Sequence, residues 1–230
     1  MLNFYIPLAD VIAAGVFFIC WFGYGFAAER AARNRPSLIT AIQSFRRAWI
    51  ERMCTSDNHV ADAALLGNLL RGALFFASTT VFILGGLAAL LGTAPKLADV
   101  VSQLPYSPSA DPRLAEIKIL TLILFYVYAF FKFTWSAWQY NVLSIMVGAM
   151  PAHGSAAKLR PGFSEAGINV ASLAGDSYNA GIRSYYFSIA LMAWLIHPLL
   201  CLMTTLAITI VLYRREFYSP MLRALQKVQA

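Results

Sequence analysis

A chain of 230 residues that is 59% hydrophobic and only 13% charged carries about half the charged share of a soluble globule. That excludes a water-soluble single domain and assigns the chain to a bilayer. The net charge of +7 does not point to nucleic acid, because the basic residues cluster in loops beside apolar runs, where they read as topology signals and headgroup contacts.

The first apolar run, Tyr5 to Ala28, is long enough to span by the rule of about 20 residues. No Lys or Arg precedes it and Asp10 lies near its start, so it reads as a retained span rather than a secretory signal. The loop from Glu29 to Leu70 carries Arg30, Arg33, Arg35, Arg46, Arg47 and Arg52. Within it Leu38, Ile42, Phe45, Trp49 and Met53 form one helical face, opposite Gln43, Arg46, Arg47 and Glu51, with Pro36 and Ser37 as a start. Such a helix lies either in the membrane interface or against its neighbours. Ser56 or Asp57 is the expected cap of the next helix, which runs into the second span, Gly72 to Leu91. There Ala73, Ala77, Ala88 and Gly92 share a face with Gly85 at its edge, a small surface suited to close helix packing. Arg71 stands at the start of that span, on the face of Asp57, Asn68 and Ser78.

Four prolines between Gly92 and Pro112 predict an irregular loop. The third span, Ile119 to Met150, places Lys132 near its middle, with Ser136, Gln139 and Tyr140 on the same face. Asp10 is the only acid within a span. Lys132 is therefore either an interhelical partner for a carboxylate or carbonyls, or a contact for an anion. The loop from Pro151 to Ser184 holds Lys158, Arg160 and Arg183, with Gly154 to Gly162 unstructured and a helix start at Ser164 and Glu165. From there Glu165, Asn169, Ser172, Asp176, Asn179 and Arg183 recur every three or four residues and predict a polar stripe facing an interior. The stripe continues through Tyr186, Ala190, Trp194, His197, Cys201 and Thr204 or Thr205, inside a fourth span from Tyr185 to Tyr213 that Pro198 is expected to kink.

Orientation follows the basic residues. The loops Glu29 to Leu70 and Pro151 to Ser184 hold nine Lys and Arg, against seven in Lys96, Arg113, Lys118, Arg214, Arg215, Arg223 and Lys227. The larger set goes inside, which puts both termini outside.

Enzyme signatures are missing. Cys20, Cys54 and Cys201 have no CxxC spacing, so no zinc site or disulfide framework is expected. Of His59, His153 and His197 only the last falls in a span, too few imidazoles for a membrane haem. His59 and Asp62 pair at helical spacing without further ligands. No catalytic residue, metal or cofactor is expected.

Several blocks carry a family resemblance. They are Asp62-Ala63-Ala64-Leu65-Leu66-Gly67-Asn68, Phe75-Phe76-Ala77-Ser78-Thr79, Gly85-Gly86-Leu87, Lys132-Phe133 and Trp135-Ser136. The most specific is Asn179-Ala180-Gly181-Ile182-Arg183-Ser184-Tyr185-Tyr186-Phe187, followed by Trp194 and Arg215-Glu216-Phe217-Tyr218-Ser219. With these the chain resembles domain-of-unknown-function family 599, multi-pass membrane proteins of bacteria and plants, with Tyr178 where Phe is expected. The resemblance implies fold and location and transfers no activity.

The expectation is an all-α, single-domain, multi-pass protein of the inner (plasma) membrane, with four long spans and amphipathic loop helices. Its function is expected to be permeation of anions or small polar solutes through a homo-oligomer, with Lys132, Ser136, Gln139, Arg71, Asn179, Arg183, His197 and Asp176 lining the path. The alternative is a non-catalytic accessory or scaffold subunit that binds lipid or a membrane-protein partner.

Overall fold

Hydrocarbon offers a backbone amide no partner, so a chain this apolar satisfies its amides within helices. The computed structural model describes residues 6–56, 58–103, 111–150 and 160–229, and no strand occurs among them. The helices are α1 (Leu8–Asn34), α2 (Leu38–Thr55), α3 (Val60–Leu91), α4 (Ala94–Ser102), α5 (Pro112–Gly148), α6 (Arg160–Ile196), α7 (Pro198–Tyr218) and α8 (Pro220–Gln229). Four stretches are long and apolar enough to cross a membrane: Leu8–Ala28, Val60–Leu91, Pro112–Gly148 and Pro198–Val228. The first three match the expected spans. The fourth does not.

Residues clustered in space form two units. Unit 1 holds Met1–Leu38, Phe82–Val127 and Arg183–Ala230, and unit 2 holds Ile39–Val81 and Tyr128–Ile182. In unit 1, aromatic side chains interlock at their edges: Phe17 meets Phe125 with ring centres 5.4 Å apart and Phe187 at 5.9 Å. These rings join Leu122, Tyr126, Leu191, Trp194 and Leu212 in a buried core.

The expected span from Tyr185 to Tyr213 is two helices. His197 is extended, with φ −155° and ψ 137°, and its Nδ1 accepts the Leu199 N–H at 3.0 Å as the N-terminal cap of α7. Pro198 occupies the first position of α7, where its missing N–H costs nothing. The kink is thus a full break, and the chain reverses there. Along α6, Trp194 meets Asp10, Phe187 meets Phe17, and the Arg183 guanidinium lies 3.4 Å from where a Cβ on Gly25 would be. That order runs antiparallel to α1. α7 instead runs parallel to α1, with Cys201 near Asp10 and Arg215 near Tyr24. The N-terminus of α1 and the C-terminus of α7 therefore lie at opposite ends of unit 1. Arg214, Arg215, Arg223 and Lys227 move to the end where the Glu29 to Leu70 loop emerges, leaving Lys96, Arg113 and Lys118 at the other.

Unit 2 packs through small residues. The buried face of α6 here is mostly small, with Gly167, Ala171, Ala174, Gly175, Ser177 and Gly181 beside Ile168, and Ile50 of α2 and Phe133 of α5 lie against Gly167 and Gly181. The first part of the polar stripe is not interior in the single chain, since Glu165, Asn169 and Asp176 are exposed and Ser172 half-buried, whereas its continuation at Ala190, Trp194, Cys201 and Thr205 is buried. Small residues win the interior because they let helix backbones approach, which long polar side chains prevent. Ser136 Oγ donates to the Ala174 carbonyl at 2.8 Å and Ser177 Oγ to Gln139 Oε1 at 3.1 Å, tying α5 to α6.

Other boundaries shift for local reasons. α5 starts at Pro112, not Ile119, because Asp111 accepts the Arg113 N–H at 2.9 Å and Pro fits a first turn. Lys132 then lies about 30 Å along α5, at about 1.5 Å per residue. Trp135 and Trp138 follow it, stacked at 4.9 Å and exposed, the placement of an interfacial aromatic belt. Between Gly92 and Pro112 the expected irregular loop contains α4, whose Pro95 sits in the first turn and whose Ala94 and Ala98 are buried. α6 begins at Arg160 rather than Ser164, again with Pro in its first turn. Lys158 and the rest of the loop assigned from Gly154 lie outside the described residues, as does His153. Asn58 Oδ1, not Ser56, caps α3 by accepting the Val60 N–H at 3.1 Å, and Asp57 lies outside the described residues.

α2 buries Ala41, Ile50, Met53 and Cys54, so it packs on its neighbours, but by a face rotated from the expected one: Phe45 is exposed and Ile42 and Trp49 half-buried. On α3 the buried positions Leu66, Ala73, Thr80 and Leu87 recur every seven residues, with Ala77 between, as in a left-handed crossing. Ala73 and Ala77 of the expected small face are in contact, whereas Gly85, Ala88 and Gly92 face outward in the single chain.

Opposite termini give a labelling result. In a chain whose native cysteines are replaced, an impermeant thiol reagent added outside cells is expected to modify a cysteine at Ser102 and not one at Lys227; labelling of both would restore a single fourth span. The small-residue packing predicts a contrast. A Cβ on Gly181 would stand 2.7 Å from the Phe133 ring, so Gly181→Ala is expected to lower the melting temperature by an overpacking cost of about 1–3 kcal/mol. At Gly175 the facing group is the end of the Arg46 side chain, which can swing aside, and Gly175→Ala is expected to be neutral or slightly stabilising.

Candidate functional site

The start of α5 at Pro112 carries Lys118 into the helix, where it is buried. Its Nζ lies 2.7 Å from Asp10 Oδ1 and 5.4 Å from the centre of the Trp194 ring. Trp194 Nε1–H donates to the same carboxylate oxygen at 2.8 Å. Three helices thus meet at one buried carboxylate, with an ammonium for charge and an indole for orientation. Asp10 Oδ2 and Thr205 Oγ1, both buried, have no hydrogen-bond partner among the described residues. Cys201 is fully buried beside them. Between one and two helical turns from Trp194 along α6, Ser188 and Tyr126 of α5 share a hydrogen bond at 2.8 Å.

At the other end of unit 1, Arg183, Arg215 and Glu216 all lie within electrostatic reach of Tyr24. Glu216 is buried, and the Arg215 guanidinium stacks over the Tyr186 ring at 5.3 Å. The Nε atoms of both arginines are buried without a hydrogen-bond partner among the described residues. A cavity of about 410 Å³ opens at the same end, lined by Arg35, Pro36, Phe217, Tyr218, Leu222, Arg223 and Gln226.

Unit 2 has its own polar cluster. Trp49 Nε1–H donates to Asp62 Oδ1 at 2.8 Å, Arg52 reaches the same oxygen at 3.2 Å, and His59 Nδ1 lies 3.5 Å from Oδ2. Asp62 is therefore the joint between α2 and α3, with His59 beside its other oxygen. A cavity of about 360 Å³, lined by Ile42, Phe45, Arg46, Trp49, Leu65, Leu69, Tyr140 and Ala171, adjoins it. Among the described residues no group of three His, Cys, Asp or Glu side chains is placed to hold a metal.

The eight residues expected to line a path divide between the units. Arg71, Lys132, Ser136, Gln139, Asp176 and Asn179 belong to unit 2, and Arg183 and His197 to unit 1. Ser136 and Gln139 are buried in the α5 to α6 contact, and Lys132 is half-buried with its ammonium 5.5 Å from the Tyr128 ring centre. Arg71 is exposed and donates to Asn68 Oδ1 on its own helix. His197 is a cap. Lys118, rather than Lys132, is the partner of Asp10. The signal that would have found it is the Asp111-Pro112 pair, a helix start that moves Lys118 from loop to span.

Removing one member of a buried ion pair strands the other charge, which costs about 3–5 kcal/mol. Asp10→Asn and Lys118→Met are each expected to lower the melting temperature of the detergent-solubilised protein sharply, and the double variant is expected to recover part of the loss. Additive losses would show that the two do not act as a pair.

Against known proteins, no curated protein and no solved structure matches this chain. The family model described as "Protein of unknown function, DUF599" matches residues 12–221, a range that takes in most of α1 and all of α2 to α7, with Lys118 and Trp194 inside it and Asp10 just before it. By that match over most of its length, the chain belongs to the DUF599 family of proteins.

Proposed function

We propose that this protein is a non-catalytic scaffold or accessory subunit of the plasma (inner) membrane, where it meets lipid or a membrane-protein partner. The observation that carries this reading is where its polar side chains point. Asp10, Lys118, Tyr126, Ser136, Gln139, Ser177 and Ser188 each bond to another helix of the same chain. In a membrane such bonds hold helices together, and a side chain held this way is not presented to a passing solute. The basic residues gathered at one end supply an attraction to acidic lipid.

A second reading is favoured by one observation. The stripe of Glu165, Asn169 and Asp176 is exposed in the single chain, so several copies arranged around an axis would present it to a shared path for small polar solutes, with any attraction for anions left to Lys132 and Arg183. Flux separates the two. Reconstituted protein is expected to give no conduction of chloride, phosphate or small organic anions above that of empty vesicles. A flux that Lys132→Met abolishes would overturn the scaffold reading in favour of the oligomeric path.

A further inference from the structure

The cavity beside α8 has the chemistry of a specific ligand. Arg35, in the extended residue that ends α1, and Arg223, on α8, both line it. Neither is in an ion pair among the described residues. No acidic side chain joins them. Gln226 and the exposed Tyr218 add hydrogen-bonding groups, while Phe217 and the buried Leu222 supply an apolar wall. α8 has two aspects: Leu222 turns inward, whereas Met221 and Val228 are 54% and 73% exposed beside Arg223 and Lys227. A short basic helix with exposed apolar side chains, following on the apolar helix α7, is suited to the headgroup boundary.

We propose that this cavity holds the phosphodiester headgroup of an acidic phospholipid, with Arg35 and Arg223 on the phosphate and Phe217 and Leu222 against the glycerol and upper acyl carbons. Guanidinium groups match phosphate oxygens in geometry as well as charge. The apolar wall selects a lipid over a free anion, because inorganic phosphate would gain nothing from Phe217. The inference rests on the lipid-binding part of the scaffold reading and names the ligand class.

The test uses the full chain in mild detergent, with binding of phosphatidylglycerol, phosphatidylcholine and inorganic phosphate read by native mass spectrometry and thermal shift. Phosphatidylglycerol is expected to bind in preference to phosphatidylcholine. Arg35→Gln with Arg223→Gln is expected to weaken it about 30-fold, from roughly a factor of five to ten per basic side chain. The charge-matched pair Lys96→Gln with Arg113→Gln is expected to leave it unchanged, and Phe217→Ala to weaken the lipid alone. Equal losses from both charge pairs, equal binding of the two lipids, or full competition by inorganic phosphate would each overturn the site. Because the readout is lipid binding and not flux, failure here removes this site without deciding whether the protein conducts.

Discussion

An ionised carboxylate in the first turn of a membrane helix has to find a counter-charge inside the protein, since the surrounding hydrocarbon supplies neither water nor ions. Asp10 finds Lys118 and the indole of Trp194, and that meeting fixes the register of α1 against α5 and α6 together. Once Asp10 is placed, Phe17 falls two turns along against Phe125 and Phe187. Gly25 then falls opposite the Arg183 guanidinium, which lies 3.4 Å from where a Cβ would be. An apolar interface of leucines would have tolerated slippage. The ion pair does not, because a shift of one residue would leave two charges buried and unpaired.

The units solve the packing problem in different ways. Unit 1 fills its interior with rings and anchors it by charge. Unit 2 brings backbones together across Gly167, Ala171, Ala174 and Gly181 and anchors them with neutral hydrogen bonds from Ser136 and Ser177. The second device depends on van der Waals contact at short range, so its tolerance for added volume is small. α3, α5 and α6 each contribute residues to both units, and along α6 the buried positions change from mainly small, Gly167 to Gly181, to larger ones at Phe187, Leu191 and Trp194.

Much of this architecture is legible in the sequence because hydropathy and length act through solvent alone. The all-helical class and three of the four spans follow from that, while the family resemblance rests on specific residue blocks such as Asn179 to Phe187. What escaped were features that depend on a partner or on one residue's backbone. Asp10 stands out as an intramembrane acid, but its partner could be named only by knowing that α5 starts at Pro112. The polar recurrence from Glu165 to Arg183 is real as periodicity, yet period alone does not say which of two faces is inside, and here the small residues between the polar ones decide it. His197 looked like one more polar residue on a long helix. Its extended backbone and ring nitrogen make it the place where one helix ends and another starts.

That single-residue break bears on how the chain enters a membrane. The apolar part of α6, from Tyr185 to Ile196, is about 18 Å long at about 1.5 Å per residue, well short of the hydrocarbon thickness of about 30 Å. On its own it would be a poor substrate for an insertion machinery that selects segments by summed apolarity. Joined to α7 through His197, it enters as the first arm of a helical hairpin. The two arms satisfy their backbones separately, and the short arm is covered by α7 beside it, where Leu191 and Trp194 share a core with Cys201, Ile208 and Leu212.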